Sequence, residues 1–188
     1  MSSGEILYYG NTEATIEEYF KTIKNGDHTS VKEKKLGQNT KILGCRVLNE
    51  DGNETKYYVP NKTLSLEVEF HTNGSRGLSL EVFLISPNGE KLALGSTAQF
   101  HEVQLPNKSG RYKCLLNFNP LYLASGIYSF DIGTSIVNVG WDTIIESATS
   151  FEVTFSNPTD TSWDFKYSYG YGSIAMICAD PPKFIDVI

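Results

Sequence analysis

Apolar residues occupy every second position in three consecutive runs between Gly110 and Phe155. The runs cover residues 112–118, 128–132 and 151–155, and the intervening positions in each are mostly polar. A repeat of two is that of a β-strand with one buried face, and turn-forming residues separate the runs. This pattern predicts three antiparallel strands with one face against a core and the other against water.

Further strands are predicted in the first half of the chain. Residues 64–70 alternate in the same way, residues 78–86 are apolar on nearly both faces, and residues 91–101 place apolar side chains on one face. A run that is apolar on both faces is typical of a central strand covered on both sides or flanked by a partner surface. About eight strands at regular spacing predict an all-β, antiparallel β-sandwich of immunoglobulin-like or jelly-roll type.

A short strand-helix appendage precedes the predicted sandwich. Residues 4–11 form an apolar run that ends in a turn signal, and from Thr12 apolar residues follow the spacing of one helix face. The following segment is polar, charged and without periodicity, which predicts a linker. The chain is therefore divided into an appendage at residues 1–24, a linker at residues 25–40 and the β-sandwich at residues 41–188.

Two parts of the chain resemble a known family, the Wzt-type ABC transporters. The order of motifs between Gly110 and Phe155 resembles that in the C-terminal domain of their ATP-binding subunits. The motifs are Asn-Pro-Leu-Tyr-Leu at 119–123, Ser-Gly-Ile-Tyr-Ser-Phe-Asp-Ile at 125–132, Trp141-Asp142, and Ala148 leading into Ser-Phe-Glu-Val at 150–153. Residues 4–19 resemble the closing segment of an ABC-transporter ATPase domain, although on pattern alone this helix equally suits a cap on the sandwich.

The resemblance implies a role in polysaccharide export and lipopolysaccharide biosynthesis. It implies a carbohydrate-binding domain on a cytoplasmic ATPase subunit that is peripheral to the bacterial inner membrane and assembles with a transmembrane transporter subunit. In that family the domain recognises the non-reducing terminus of an O-antigen polysaccharide and couples chain completion to export, without covalent chemistry. Residues 1–24 would be the tail of the ATPase domain, whose catalytic motifs would lie upstream.

The family also implies a homodimer that exchanges C-terminal strands between subunits. Residues 173–178 are predicted to form a strand, and glycines on one side and prolines on the other isolate it. An exposed sheet edge needs covering, and a strand from a second copy would cover it. The resemblance therefore implies a homodimer in which residues 173–178 can be exchanged.

Charge and cysteine usage narrow the range of partners. The net charge of -6 and a pI near 5.1 disfavour nucleic acid, which demands a cationic surface. The 3 cysteines are widely spaced and form no CxxC pair, so neither a disulfide framework nor a zinc site is predicted, and a reducing cytoplasm is favoured. No cofactor is expected, and no apolar run approaches the roughly 20 residues that span a bilayer.

Aromatic and polar side chains suggest a carbohydrate site. Sugars present C–H faces that stack on aromatic rings and hydroxyls that bond to amide, carboxylate or guanidinium groups. The candidates for stacking are Trp141, Tyr167, Tyr169 and Tyr171, and the tyrosines share one face if their segment is extended. The candidates for hydrogen bonding are Gln99, His101, Arg111, Lys113, Asp131 and Asp142. A sheet edge or dimer interface is the competing interpretation for the tyrosines, and burial in the core is the competing one for Trp141.

Two other classes of function stay open. An immunoglobulin-like protein-interaction module would bind no sugar. A glycan-active enzyme would need two carboxylates at a cleft, for which Asp131 and Asp142 are candidates. The sequence contains no phosphate-binding loop and no GxSxG, HExxH or GxGxxG motif, so no catalysis is expected of this chain.

Overall fold

The computed structural model describes residues 9–10, 15, 32–35, 37–157, 163–178 and 182. Apart from three isolated positions, the predicted N-terminal strand and helix lie outside the described residues. The strands are β1 Lys32–Lys35, β2 Thr40–Leu48, β3 Leu64–Thr72, β4 Leu78–Ile85, β5 Lys91–Ser96, β6 Gly110–Phe118, β7 Gly126–Ile136 and β8 Gly140–Val153. A short helix, α1 Thr97–His101, and a 3-10 turn, Tyr167–Tyr169, accompany them.

The described strands form two antiparallel sheets. One sheet has the order β1-β8-β7-β4-β5 and the other has the order β2-β3-β6. In an immunoglobulin-like sandwich, β2, β3 and β6 take the places of strands A, B and E, and β8, β7, β4 and β5 take those of G, F, C and C′. The predicted all-β sandwich is therefore confirmed, and the immunoglobulin-like topology is the one adopted.

The core lies between the two sheets and is built from the predicted inward faces. Aromatic rings of the five-stranded sheet stack at its centre, where Phe151 lies 5.7 Å from Tyr128 and 5.5 Å from Phe130 between ring centroids. The aliphatic side chains around them that are almost fully buried include Leu66, Val68, Leu80, Val82 and Ile132. Phe155, predicted to point inward, is exposed, because β8 ends at Val153.

Four predicted local structures differ from those observed. The predicted linker contains β1, which pairs with β8 at the edge of the five-stranded sheet; the domain boundaries themselves stay a prediction. The run 91–101 turns into α1 after Ser96, whose hydroxyl caps the helix by accepting the Gln99 N–H at 3.1 Å. Residues 167–171 are not extended, and the predicted strand 173–178 forms only an isolated bridge between Ile174 and Leu123.

A buried tyrosine fixes the start of β7. The Tyr128 hydroxyl donates to the Ala124 carbonyl at 2.9 Å, and the Ser173 carbonyl lies 3.3 Å away. This is the tyrosine corner of immunoglobulin-like sandwiches, in which a tyrosine near the start of strand F bonds back to the backbone upstream. Burial raises the pKa of Tyr128, so the hydroxyl remains a donor throughout the neutral range.

Replacing Tyr128 by phenylalanine is expected to lower the free energy of unfolding by about 1–2 kcal/mol, because the substitution removes a buried hydrogen bond and leaves a carbonyl poorly satisfied. Urea denaturation measures the effect. Tyr57→Phe is the matched control, since Tyr57 is exposed and should change stability little. If Tyr128→Phe and Tyr57→Phe were equally stable, the hydrogen bond of the Tyr128 hydroxyl would not stabilise the fold.

Candidate functional site

A cleft of about 610 Å³ opens on the outer face of the five-stranded sheet, the face that points away from the core. Strand β4 contributes its floor, because the alternation that turns Leu80 and Val82 inward turns Glu81 and Phe83 outward. One wall is formed by the hairpin between β7 and β8, which includes Trp141, and the other by β5 and α1. The cleft thus lies over β4, toward the end of the sheet where the β7–β8 hairpin turns.

Two aromatic rings lie side by side in the cleft. The ring centroids of Trp141 and Phe83 are 5.7 Å apart, with planes inclined by 54°. Trp141 is 39% exposed, so the interpretation that places it in the core is wrong. The ammonium of Lys91 lies over the Phe83 ring, 4.1 Å from its centroid, in a cation–π contact. Trp141 therefore presents exposed ring surface to the cleft, whereas Lys91 covers the ring of Phe83.

The position of Trp141 depends on a glycine in the neighbouring strand. A Cβ atom on Gly133 would lie 2.8 Å from Cζ3 of the Trp141 ring, closer than van der Waals contact permits. The indole consequently rests on the bare backbone of β7. Glycine in a strand interior often marks such a close approach.

A buried carboxylate lies beside the aromatic rings. Glu81 is 2% exposed, and its Oε1 accepts a hydrogen bond from the Ser135 hydroxyl at 3.1 Å. Its Oε2 is buried, and no group in the described part of the chain donates to it. A buried carboxylate oxygen without a donor destabilises the fold.

Of the predicted hydrogen-bonding residues, Gln99 lines the cleft from α1. Asp131 lies on the same sheet face, opposite Phe83 in the β4–β7 register, and accepts the backbone N–H of Ser147 at 2.8 Å. His101 is exposed at the end of α1 and is not a lining residue. Trp141 and Gln99 are therefore the two predicted site residues that meet in the cleft.

Asp142 follows Trp141 in the sequence but does not line the cleft, and its carboxylate is hydrogen-bonded within the fold. Its carboxylate accepts the Thr40 hydroxyl at 2.6 Å, the Thr40 N–H at 2.9 Å, and the Asn39 side-chain amide at 2.9 Å. Burial alone would raise the pKa of Asp142, but the hydrogen bonds from Thr40 and Asn39 outweigh it and hold the pKa below its ordinary value. Asp142 thus joins β8 to the start of β2.

The three predicted tyrosines lie near the opposite end of β7. Tyr167 lies next to Gly126 at the start of that strand, whereas Trp141 pairs with Ser135 near its end. Tyr167 lines a second cleft of about 530 Å³, and Tyr169 and Tyr171 contact each other at 6.2 Å between ring centroids. They do not share a site with Trp141.

The predicted cations Arg111 and Lys113 lie on the outer face of the other sheet. Arg111 pairs with Glu69, and the Lys113 ammonium lies 3.0 Å from the Glu67 carboxylate. Hydrogen bonds from Lys113 and Arg111 lower the pKa values of Glu67 and Glu69, respectively. Both cations are therefore remote from the cleft and engaged with carboxylates.

The residues of the cleft that the sequence did not predict include Glu81, Phe83 and Ser135. One signal was present, because Glu81 is the single charged residue in a mostly apolar strand, LSLEVFLI. A charge buried at the centre of a sheet is rare without a partner or a function. No comparable signal marks Ser135, whose role depends on the register between β4 and β7.

Comparison with known proteins places the fold. No family model and no curated protein sequence matches the chain. Among solved structures, the crystal structure of the C-terminal domain of Wzt matches with a TM-score of 0.62 at 15% identity, covering 83% of this chain and 94% of that one. A Niemann-Pick type C2 protein from Japanese carpenter ant matches with a TM-score of 0.44 at 8% identity, and the match covers 62% of this chain and 94% of that one.

The chain thus has the fold of the C-terminal domain of Wzt, and the resemblance identified from the sequence is confirmed at the level of fold. None of the helices in the described part of the chain is both long and apolar enough to cross a membrane. Within the same residues, His, Cys, Asp and Glu side chains form no group that could hold a metal ion.

Proposed function

We propose that this chain binds carbohydrate in the cleft and performs no catalysis there. The observation that carries the proposal is that a partly exposed indole, Trp141, and the side-chain amide of Gln99 line the same cleft. A sugar ring has apolar C–H faces that suit the indole and hydroxyl groups that suit an amide. The Gln99 amide both donates and accepts hydrogen bonds.

The fold likeness to the C-terminal domain of Wzt supports a narrower proposal. The chain would recognise the non-reducing terminus of an O-antigen polysaccharide and couple chain completion to export by an ABC transporter. Its location would be cytoplasmic, next to the inner membrane, and its residues 1–24 would continue an ATPase domain.

Titration calorimetry with the O-antigen polysaccharide of the strain that encodes the chain tests this function. The polysaccharide is prepared in two forms, with and without its terminal modification. Binding of the completed form alone is expected. Equal binding of both forms would contradict terminus recognition but leave carbohydrate binding, and failure of the folded protein to bind either form would reject both.

Gly133→Ala is expected to weaken polysaccharide binding by about threefold to tenfold, because the added methyl group displaces the Trp141 ring from the backbone of β7. The backbone of Gly133 does not require a positive φ, so the fold should be retained. Calorimetry and circular dichroism measure the two effects. Gly44→Ala is the matched control, since a Cβ at Gly44 meets nothing within 4 Å.

A homodimer formed by exchange of residues 173–178 remains part of the proposal. Within one chain the segment is held to residues 122–124 by two backbone hydrogen bonds of 2.9 Å, and a second copy could make the same bonds. Trp163, Tyr171 and Met176 nearby are exposed apolar side chains that a subunit contact would cover. Light scattering at micromolar concentration should give the mass of a dimer, and a monomeric mass would reject the exchange.

The carboxylates Asp131 and Asp142 do not support a glycan-active enzyme. Asp131 lies on the outer face of β7, while Asp142 turns toward Asn39 and Thr40 at the start of the other sheet. Glycoside hydrolysis needs two carboxyl groups that flank one bond. These two groups do not converge on a common substrate position.

A further inference from the structure

Both walls of the cleft present apolar side chains to a ligand. Val137 and Val139 belong to the hairpin between β7 and β8, and Leu94 of β5 lies on the opposite wall. Val139 is 78% exposed and Leu94 is 37% exposed, so neither side chain is used to fill the core. Exposed apolar side chains that line a cleft together with a few polar groups are typical of a ligand site. The walls therefore suit an apolar part of the ligand.

The polar side chains that a ligand can reach in the cleft are mainly amides. Glu81 is buried, whereas Gln99 and Asn138 are exposed lining residues. The backbone N–H groups of Val137 and Val139 are already hydrogen-bonded within the fold at 2.9 Å. A sugar hydroxyl that is turned toward a wall without a partner loses its hydration at a cost in affinity. The cleft therefore favours a sugar unit with fewer hydroxyl groups than a plain hexose.

The exocyclic carbon of a hexose is the part that reaches the walls. When a C–H face of the sugar stacks on the indole of Trp141, the edge of the sugar ring points toward the walls beside the indole. The exocyclic carbon extends furthest from that edge. A hydroxymethyl group turned toward Val139 or Leu94 would leave its hydroxyl without a partner, whereas a methyl group would bury apolar surface.

We infer that the cleft binds a 6-deoxyhexose, a sugar unit whose exocyclic carbon is a methyl group, and that Leu94 and Val139 determine this specificity. The inference rests on the proposed carbohydrate-binding function. The methyl group lies against the apolar walls while the sugar ring stacks on Trp141. The amides of Gln99 and Asn138 bond to the remaining hydroxyls. Discrimination against the hexose is moderate, because an apolar site rejects an added hydroxyl only weakly.

Matched pairs of methyl glycosides test the inference. L-rhamnose and L-mannose, L-fucose and L-galactose, and D-quinovose and D-glucose differ within each pair only by the hydroxyl on the exocyclic carbon. Titrations that follow the indole N–H signal of Trp141 by NMR give the dissociation constants. In at least one pair the 6-deoxy sugar is expected to bind about threefold to tenfold more tightly than its partner. Equal or weaker binding of the 6-deoxy sugar in every pair would overturn the inference.

Leu94→Thr combined with Val139→Thr tests the walls. Threonine suits a β-strand and supplies hydroxyls that can bond to a hydroxymethyl group, so the preference should narrow toward equal binding. Val59→Thr is the matched control, since Val59 is exposed outside the cleft and should keep the native preference. If the double variant does not fold, Val139→Thr alone provides the same test at a largely exposed position. An unchanged preference in the folded variant would overturn the inference.

The O-antigen polysaccharide separates this inference from the proposed function. If the polysaccharide shifts the Trp141 signal and none of the glycosides does, the 6-deoxyhexose is rejected and carbohydrate binding stands. If neither the polysaccharide nor any glycoside binds to the folded protein, both are rejected.

Discussion

Asp142→Ala is expected to destabilise the sandwich by about 3 kcal/mol, the largest effect on folding that we predict for a single polar residue. The Asp142 side chain is 6% exposed and accepts hydrogen bonds from Thr40 and Asn39. Its removal leaves the Thr40 N–H without this acceptor, in a buried position. Gly37 packs so closely on the carboxylate that a Cβ there would overlap it, so the segment before β2 would also lose its anchor.

The stabilisation by Asp142 should depend on pH. Its pKa is lowered in the folded protein, whereas in the unfolded chain it titrates near the ordinary value of 3.8. The Asp142 carboxylate therefore binds a proton more readily in the unfolded state than in the folded state. Its contribution to the free energy of unfolding is fully present above about pH 4 and is lost as the pH falls through the pKa of Asp142 in the folded protein. Urea denaturation from about pH 7 to about pH 2 should show the difference between native protein and Asp142→Ala narrowing below about pH 4.

Asp51→Ala is the control for this series, because Asp51 is exposed in the turn after β2 and its loss should cost less than about 0.5 kcal/mol. Destabilisation by Asp142→Ala of similar size to that of the control would contradict the anchoring role. A difference that stays constant down to about pH 2 would contradict the ionised carboxylate as its source.

Trp141→Ala should reduce polysaccharide affinity by about tenfold to a hundredfold, the largest effect that we predict for binding. The indole of Trp141 supplies exposed aromatic surface to the cleft, whereas Lys91 covers the ring of Phe83. Because the indole packs on Gly133 and Phe83 but is partly exposed, truncation should also lower the free energy of unfolding by about 1–2 kcal/mol, less than for a fully buried ring. Calorimetry and urea denaturation separate the two effects.

Trp163→Ala provides the matched control for binding. Trp163 is 52% exposed and belongs to the aromatic group around Tyr171, with ring centroids 6.0 Å apart. The substitution removes the same chemical group from the other end of the sheet. If Trp163→Ala abolished binding and Trp141→Ala did not, the ligand site would have to be moved to the tyrosine segment.

The core could be predicted from the sequence because strand alternation is local. Residues 64–70 and 128–132 alternate over several positions, and their inward faces meet in the sandwich as predicted. Alternation gave a wrong prediction where the chain starts a helix or a turn. Ser96 caps α1 within a run whose alternation predicts a strand, and the segment with Tyr167 turns where it packs against the start of β7.

The candidate site could be predicted only in part, because the register between paired strands decides which of its residues lie side by side. Trp141 and Gln99 were recognisable as aromatic and amide candidates. Trp141 lies on β8 and Gln99 on α1, the helix that follows β5. Their proximity to Glu81 depends on the pairing of β4 with β5 and β7, which composition and periodicity do not specify. Asp142 shows the converse, since it follows Trp141 in sequence but bonds to another strand.

Sugar is proposed to bind against Trp141, and the two tryptophans of the chain allow a direct test of this claim. Their indole N–H signals are resolved by NMR and assigned with Trp141→Phe and Trp163→Phe. During titration with the O-antigen polysaccharide, the Trp141 signal is expected to shift in a saturable manner while the Trp163 signal stays in place. A shift confined to Trp163, or no shift of either signal under conditions where calorimetry detects binding, would contradict the claim.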